Sequence, residues 1–323
     1  MNTNNTSPSL KPNSSIYENE TDFWNLLESL WREKVIIFSI TVFCSVLSIF
    51  YALKLPDIYK TQVILAPADV KQSSGLSALS GQFGGLASLA GINMNSSGSN
   101  AKLALEIIKS RKFINDFVEK HNILIDLFAA ESWNVMGNSI IYDAELYDTQ
   151  LQKWVREVQP PKKAIPSLQE AYEKFIEIMQ VIENQDTGIV TISVEHVSPY
   201  IAREWVEWLV QDINQTMKIR DVKEAVKSKK FLTEQLKQTR VADMRSILYK
   251  LIEEQSKTIM FAEVRDEYVF KTIDPALVPE KKSGPKRALI CVLGAFLGAL
   301  LGIFIVLLKG YFRENLKKSR RYN

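Results

Sequence analysis

Residues 199–240 read PYIAREWVEWLVQDINQTMKIRDVKEAVKSKKFLTEQLKQTR, and neither Gly nor Pro occurs from Tyr200 as far as Asp274. A single helix over that interval would be about 110 Å long, which exceeds the size of a compact domain. The chain must also return towards a second apolar segment near its C-terminus. We therefore predict a long helical arm over residues 199–274, with an outgoing helix, a break near Thr239–Asp243 and a returning helix.

The first part of this arm has an apolar face, and a basic band follows it. Apolar residues recur every three or four positions, as on the buried side of a helix; they are Ile201, Trp205, Trp208, Leu209, Ile213 and Met217. The basic band includes Lys218, Arg220, Lys223 and Lys227. Such a band either meets an acidic glycan or a neighbouring subunit, or it is a solvated helix face.

A mixed α/β base is expected before the arm, over residues 54–198. Alternation of Val190, Ile192 and Val194 with polar residues after the turn NQDTG indicates a hairpin with a half-buried second strand. Ser167 and Glu170 have the spacing of a capping box at the start of a helix. The remaining expected elements are a strand at Tyr59–Ala66, two short helices within Ala101–His121, a polar and aromatic insertion to about Pro166, a helix at Ser167–Ile178, and hairpin arms at Met179–Glu183 and Ile189–Glu195.

Two charge-free apolar runs flank these elements. Residues 35–53 read VIIFSITVFCSVLSIFYAL, and residues 288–308 read ALICVLGAFLGALLGIFIVLL. About 20 apolar residues suffice for a helix to cross a hydrocarbon core about 30 Å thick. No small-x-small cleavage site follows the first run, so we predict an uncleaved anchor and, in all, two transmembrane helices.

Basic residues set the predicted orientation. The tail over residues 309–323 carries six basic residues against one acidic residue. Short cytoplasmic flanks are enriched in Lys and Arg, so both termini are expected in the cytoplasm and residues 54–287 on the exported side. Long loops are translocated largely regardless of charge, so we give less weight to the basic residues before the second run; these are Lys281, Lys282, Lys286 and Arg287. The exported segment holds 31 basic and 31 acidic residues, so its formal net charge is zero. It therefore lacks the excess of basic residues that is typical of nucleic-acid-binding proteins.

Two further segments leave alternatives open. Residues 1–34 are expected to be a cytoplasmic tail ending in an amphipathic helix, Thr21–Lys34, which either lies along the headgroups or lengthens the first span. The Gly- and Ser-rich stretch Gln72–Asn100 also contains apolar residues. It is either a mobile loop that docks against a partner subunit or a loop packed on its own domain.

The second apolar run has a stripe of glycines at four-residue spacing. Gly294, Gly298 and Gly302 place three positions without Cβ on one side of the helix, which favours close helix packing in lipid. In the first run, the matching small residues are Cys44, Ser48 and Ala52. The chain's two cysteines, Cys44 and Cys291, differ in membrane depth by about 9 Å, too far for a disulfide.

No pattern in the sequence points to catalysis, and we expect neither an enzyme nor a bound cofactor or metal. The two histidines, His121 and His196, have no Cys or His partner at metal-ligand spacing. The sequence contains no GxxxxGK[ST] phosphate loop and no GxSxG motif.

Four blocks of sequence stand out along the chain. They are DFWNLLESLWREKVIIF before and into the first span, SGLSALSGQFGGLASLAGI, AYEKFIEIMQVIENQDTGIVTISVEHVSPYIAREWVEWLVQDIN, and DEYVFKTIDPALVPEKKSGPKRALICVLGAFLGALLG into the second span. Together they resemble the Wzz-type chain-length determinants, the polysaccharide co-polymerases of bacterial inner membranes. The resemblance implies a periplasmic α/β base next to the membrane, a long helical arm, homo-oligomers without known catalytic residues, and a role in setting O-antigen length with the O-antigen polymerase. A lipid-linked glycan is a further partner that it implies.

The resemblance also makes residues 275–287 a linker with Pro275, Pro279 and Pro285. Here Ser283 and Gly284 interrupt the denser proline run that the family leads us to expect. Three other readings are a capsule or exopolysaccharide co-polymerase acting with a kinase, a two-span sensor with a periplasmic ligand domain, and a membrane-bound glycan enzyme. A fused kinase or a sensor would need a large cytoplasmic module, where only 15 residues follow the second run.

Overall fold

The computed structural model describes residues 31–68 and 96–319 and divides them into two compact units. One unit, the helix pair, comprises the described residues up to Leu55 and from Pro285 onward. The other, the sheet unit, comprises the described residues from Pro56 to Gly284. The predicted tail helix and the Gly- and Ser-rich stretch lie largely outside the described residues.

The helix pair consists of α1, Lys34–Lys54, and α8, Arg287–Ser319. Over Lys34–Lys54 and Arg287–Lys309 they are long and apolar enough to cross a membrane, with mean hydropathies of 2.4 and 2.9. Most of their large apolar side chains are exposed, as lipid-facing side chains would be and core side chains would not. These segments coincide to within one residue at each end with residues 35–53 and 288–308.

A four-stranded antiparallel sheet lies at the centre of the sheet unit, in the order β6-β7-β1-β8. The strands are β1 Tyr59–Pro67, β6 Met179–Glu183, β7 Val190–His196 and β8 Phe270–Asp274. Between β1 and β6 lie α2 Ser96–Ile108, α3 Arg111–His121, α4 Leu124–Ala129, β2 Ala130–Asn134, β3 Ser139–Tyr142, β4 Tyr147–Asp148, β5 Lys153–Trp154 and α5 Leu168–Ile178. The strands β2 and β3 form one hairpin, and β4 and β5 form a second.

Alternate residues of the central strands face a single apolar core. Tyr59 pairs with His196 and Leu65 with Val190, so the predicted inward positions of β7 meet Val63 and Leu65 of β1. Phe117 and Phe175 bring α3 and α5 onto the same core. Burying each large apolar side chain stabilises the fold by about 1.5–3 kcal/mol, so this core fixes the sheet register.

Local signals read from the sequence set several boundaries. The Ser167 side chain accepts from the Glu170 backbone, and the Glu170 side chain accepts from the Ser167 backbone, so the predicted capping box is confirmed. The predicted hairpin is also confirmed, although its second strand runs one residue further, to His196. Gly188 occupies its turn at φ 68°, a conformation that glycine adopts without strain.

The arm contains α6, Pro199–Gln238, and α7, Ala242–Val264. The predicted break is confirmed at Thr239–Val241, where backbone torsions at Thr239 and Val241 are extended. The prediction of helix as far as Asp274 is wrong at its end, because β8 adds to the free edge of β1 there. Only the first residue of β8 is buried. The strand therefore does not need alternating apolar and polar residues, and its sequence does not show the alternation that predicts a strand.

Candidate functional site

The glycine stripe of α8 faces α1. A Cβ added at Gly298 would lie 2.7 Å from the Cys44 Cβ, and one at Gly302 would lie 3.1 Å from the Ile37 Cα. A Cβ at Gly294 would collide with the Ser48 side chain. The two helices therefore approach to a distance that only residues without a side chain allow.

The partners of this stripe differ in part from the small residues singled out in the sequence. Cys44 and Ser48 lie opposite glycines, whereas Ala52 is buried without being among the nearest neighbours of any of the three. Ile37 and Thr41 complete the opposing face. These two β-branched residues do not belong to the pattern of small side chains in the sequence, although their spacing to Cys44 is helical.

Polar contacts close the helix pair at both ends of its apolar segments. Lys309 Nζ lies 2.9 Å from both carboxylate oxygens of Glu33. At the other end, Arg287 donates to the Leu55 carbonyl oxygen at 3.0 Å. These contacts hold the two apolar segments level with each other along the helix axes.

Three of the four predicted basic contact residues line one groove in the arm. Arg220, Lys223 and Lys227 share a groove of about 650 Å³ with residues of both α6 and α7; the other lining residues are Glu224, Ser228, Phe231, Leu232, Leu251 and Gln255. Phe231 is 60% exposed, so an aromatic ring is available beside the cations. A groove of this kind can hold an anionic group together with an apolar surface.

Lys218 has a different position. Its Nζ donates to the Arg265 carbonyl oxygen at 3.3 Å, on the loop that follows α7. Lys218 and Arg220 are two positions apart on α6, which corresponds to a rotation of about 200° around the helix axis. The sequence alone therefore predicts that these two side chains point to opposite sides of the helix. Lys218 therefore lies away from the groove that contains Arg220.

Asn214 and Asp221 lie on the same side of α6 as Lys218 and hold the same loop. The Asn214 side chain accepts from the backbone N–H groups of Val269 and Phe270 and donates to the Phe270 carbonyl. Tyr268 donates its hydroxyl to Asp221 at 2.9 Å, and burial raises the pKa of both groups. These contacts deliver the chain from α7 into β8, so the two arm helices have a fixed return path.

The predicted linker is tied to the start of β1. Ser283 and Gly284 donate their backbone N–H groups to the Ile58 carbonyl, and Lys282 Nζ lies 3.1 Å from Asp57. Of the linker prolines, Pro275 and Pro279 belong to the sheet unit, and Pro285 is the first residue of the returning part of the helix pair.

Both histidines have structural partners. His196 Nδ1 accepts from the Ser198 N–H, so its Nε2 carries the proton donated to the Asp126 carbonyl, and burial lowers its pKa. His121 stacks on Trp208 and contacts Asp212 at 2.9 Å. Within residues 31–68 and 96–319, no cluster of three His, Cys, Asp or Glu side chains is arranged to hold a metal ion.

Comparisons with known protein families match two parts of the chain. Residues 19–121 match the Wzz family, described as "Chain length determinant protein". Residues 230–311 match the GNVR family, a G-rich domain described on tyrosine kinases. A search of curated proteins found no significant match.

Solved structures with similarity include a full-length bacterial polysaccharide co-polymerase, which is 13% identical at a TM-score of 0.38, with 89% of this chain and 97% of that chain covered. A fragment of WzzB, a polysaccharide co-polymerase from Salmonella Typhimurium, is 13% identical at a TM-score of 0.29, with 71% and 100% covered. This chain is therefore similar to chain length determinants over its first third and to the GNVR domain towards its end.

Proposed function

We propose that this chain is a non-catalytic regulator of O-antigen chain length that acts as a homo-oligomer with the O-antigen polymerase in a bacterial inner membrane. The observation that carries the proposal is the Wzz match over residues 19–121, which includes the first apolar helix and the first strand of the sheet. In this proposal the sheet unit is periplasmic and both termini are cytoplasmic.

Exposed apolar side chains on the arm support homo-oligomerisation. Val226 on α6 and Met260 and Val264 on α7 are more than half exposed. Such side chains in a water-exposed arm favour association with another protein surface, and identical arms of neighbouring copies supply one.

The basic groove is proposed as a contact for an acidic segment of the glycan. Arg220, Lys223 and Lys227 offer positive charge for carboxylate or phosphate groups, and the exposed ring of Phe231 offers an apolar face to a sugar ring. Lys218 is left out of this contact because it holds the Arg265 carbonyl.

Deletion of the gene followed by gel separation of the lipopolysaccharide tests the function. We expect polymer to be made still, with a broad length distribution in place of a clustered one, since no catalytic group is lost. Absence of polymer, or an unchanged ladder, would contradict the proposal.

Complementation of the deletion tests the groove in the same assay. The double variant Lys223→Glu, Lys227→Glu should shift the restored length while leaving chemically cross-linked oligomers intact. The matched control is Lys229→Glu, Lys230→Glu, which reverses two exposed charges on the same helix outside the groove. Loss of the oligomers in the groove variant alone would assign the groove to a neighbouring subunit instead.

A second candidate function is control of a capsule or exopolysaccharide together with a separate kinase. The GNVR match favours it, because that domain is described on tyrosine kinases. Analysis of all surface polysaccharides of the deletion strain separates the two candidates, since only one polymer should change its length.

A further inference from the structure

The hairpin formed by β2 and β3 presents uncharged apolar side chains to solvent. Met136 is fully exposed and Val135 is 70% exposed at its tip, while Ile141 is 49% exposed on β3. No charged residue occurs between Glu131 and Asp143. Exposed apolar side chains on a charge-free segment favour contact with an apolar phase over contact with water.

Hydrogen bonds hold the tip in a defined shape. The Asn134 side-chain oxygen accepts from the backbone N–H groups of Met136 at 3.0 Å and Gly137 at 3.4 Å. Across the hairpin, Trp133 Nε1 donates to the Asn138 side chain at 3.0 Å. The backbone of the turn is therefore satisfied internally, which leaves Val135 and Met136 free to project outwards.

Aromatic residues surround the base of the hairpin. The Trp133 ring contacts the Tyr59 ring edge-on at 5.6 Å and the Tyr200 ring at 5.9 Å. Trp and Tyr are enriched where protein meets the boundary between lipid and water, because each combines an apolar ring with a hydrogen-bonding group.

Only a few residues of chain separate this corner of the sheet unit from the apolar helices. Tyr59 follows the last residue of α1, Lys54, by five residues, which span at most about 17 Å when fully extended. Its neighbour Ile58 is hydrogen-bonded to Gly284, three residues before α8 begins at Arg287. The start of β1, on which the Trp133 ring packs, is therefore joined to both apolar helices by short stretches of chain.

We propose that this hairpin inserts Val135 and Met136 into the headgroup layer of the bilayer on the exported side. The proposal rests on the proposed crossing of the membrane by α1 and α8. Insertion is apolar rather than electrostatic, because the segment between Glu131 and Asp143 has no charge. The contact is therefore insensitive to salt and to the charge of the lipid.

Fluorescence quenching on the full chain in lipid vesicles tests the insertion. In a Cys44→Ala, Cys291→Ala background, an environment-sensitive fluorophore is attached to Met136→Cys, and the vesicles carry lipids with a nitroxide quencher on the acyl chain just below the headgroup. We expect emission at shorter wavelength and loss of most of the intensity on adding the nitroxide lipids. Neither effect should change between low and high salt.

Two control sites bracket the measurement. Val241→Cys labels an exposed position at the break after α6, about 60 Å along that helix from Tyr200, and it should not be quenched. Leu47→Cys labels an exposed position in α1 and should be strongly quenched.

Three outcomes would overturn the insertion. A Met136 label that behaves like the Val241 label lies in water. A Met136 label with short-wavelength emission but no quenching lies against protein, for example a second copy of this chain. If the Leu47 label is not quenched either, the membrane crossing itself fails, and the hairpin proposal fails with it.

Discussion

Arg156 joins the irregular segment after β5 to the start of α5. Its guanidinium donates to both carboxylate oxygens of Glu170, at 3.0 and 3.1 Å, and to the carbonyl oxygens of Lys163 and Ala164. Its cation also lies over the Phe128 ring at 5.8 Å. Because the paired side chains are only 10% and 12% exposed, removal of either partner leaves a charge poorly solvated.

Replacement of Arg156 by Ala should lower the free energy of unfolding by about 2 kcal/mol, the range of hydrogen bonds to charged groups. Arg156→Lys should recover only part of this loss, since Lys lacks the planar fork that bonds both carboxylate oxygens. Urea unfolding of the full chain in detergent, followed by tryptophan fluorescence, measures the change. Arg203→Ala is the control, because its ion pair with Glu207 on α6 is about half exposed and contributes less than about 1 kcal/mol.

The same pair predicts a pH dependence. The hydrogen bonds from Arg156 lower the pKa of Glu170 to about 2, below its ordinary value of 4.5. A lowered carboxyl pKa contributes stability that is present above pH 4.5 and is lost as the pH falls towards 2. Equal acid sensitivity of wild type and Arg156→Ala over that interval would contradict this assignment.

The two partners of this pair were not equally predictable. The role of Glu170 at a helix start follows from Ser167 three residues earlier, because a capping box is formed by the local backbone. Its pairing with Arg156 depends on how an irregular segment folds back over α5, and no local pattern encodes that path. The capping box could therefore be predicted from the sequence, whereas the ion pair between Arg156 and Glu170 could not.

At the scale of elements, α6 could be predicted from its local sequence, whereas β8 could not. The apolar residues of α6 recur with a helical period, so its buried face was predicted. The break after α6 was also predicted. The strand β8 exists because the edge of β1 and the side chain of Asn214 both offer hydrogen bonds to residues 269–274. Those partners are 55 or more residues away in sequence, and the local sequence shows no alternation.

The contact between α1 and α8 is the element-scale feature with the sharpest steric requirement. In Gly298→Leu, the new side chain must occupy space already held by Cys44 and Thr41, so the helices should move apart. The expected cost is about 1–3 kcal/mol, as for other overpacked interfaces. Chemical cross-linking in detergent should therefore yield fewer oligomers from the Gly298→Leu variant than from the wild type.

Leu297→Phe is the control for this substitution, because Leu297 is 62% exposed and added bulk there meets no helix. The surface polysaccharide should shift in length in the Gly298 variant and stay unchanged in the control. Efficient cross-linking and normal length in a Gly294→Leu, Gly298→Leu, Gly302→Leu variant would contradict a packing role for the stripe.

At the scale of the whole molecule, the helix pair and the sheet unit were foreseeable because they obey different sequence rules. Charge-free runs of lipid-spanning length predict the first, and mixed periodicities of two and 3.6 residues predict the second. The β2 and β3 hairpin was not foreseen, since its short strands lie within an insertion of mixed polar and aromatic character. The exposed tip of this hairpin, and the packing of Trp133 against Tyr59 and Tyr200 at its base, are features of the tertiary fold.

Membrane topology is the prediction on which the proposed function of the whole molecule depends. Six basic residues after Leu308 should retain the C-terminus in the cytoplasm, and two spans then return the N-terminus to the same side. Alkaline phosphatase fused after Leu55 or Ile273 should be active, since the enzyme folds only when exported, whereas a fusion at Asn323 should be inactive. A fluorescent protein that matures only in the cytoplasm should give the opposite pattern at the same three sites. Active phosphatase at Asn323 would reverse the orientation and place the sheet unit in the cytoplasm, away from an exported glycan.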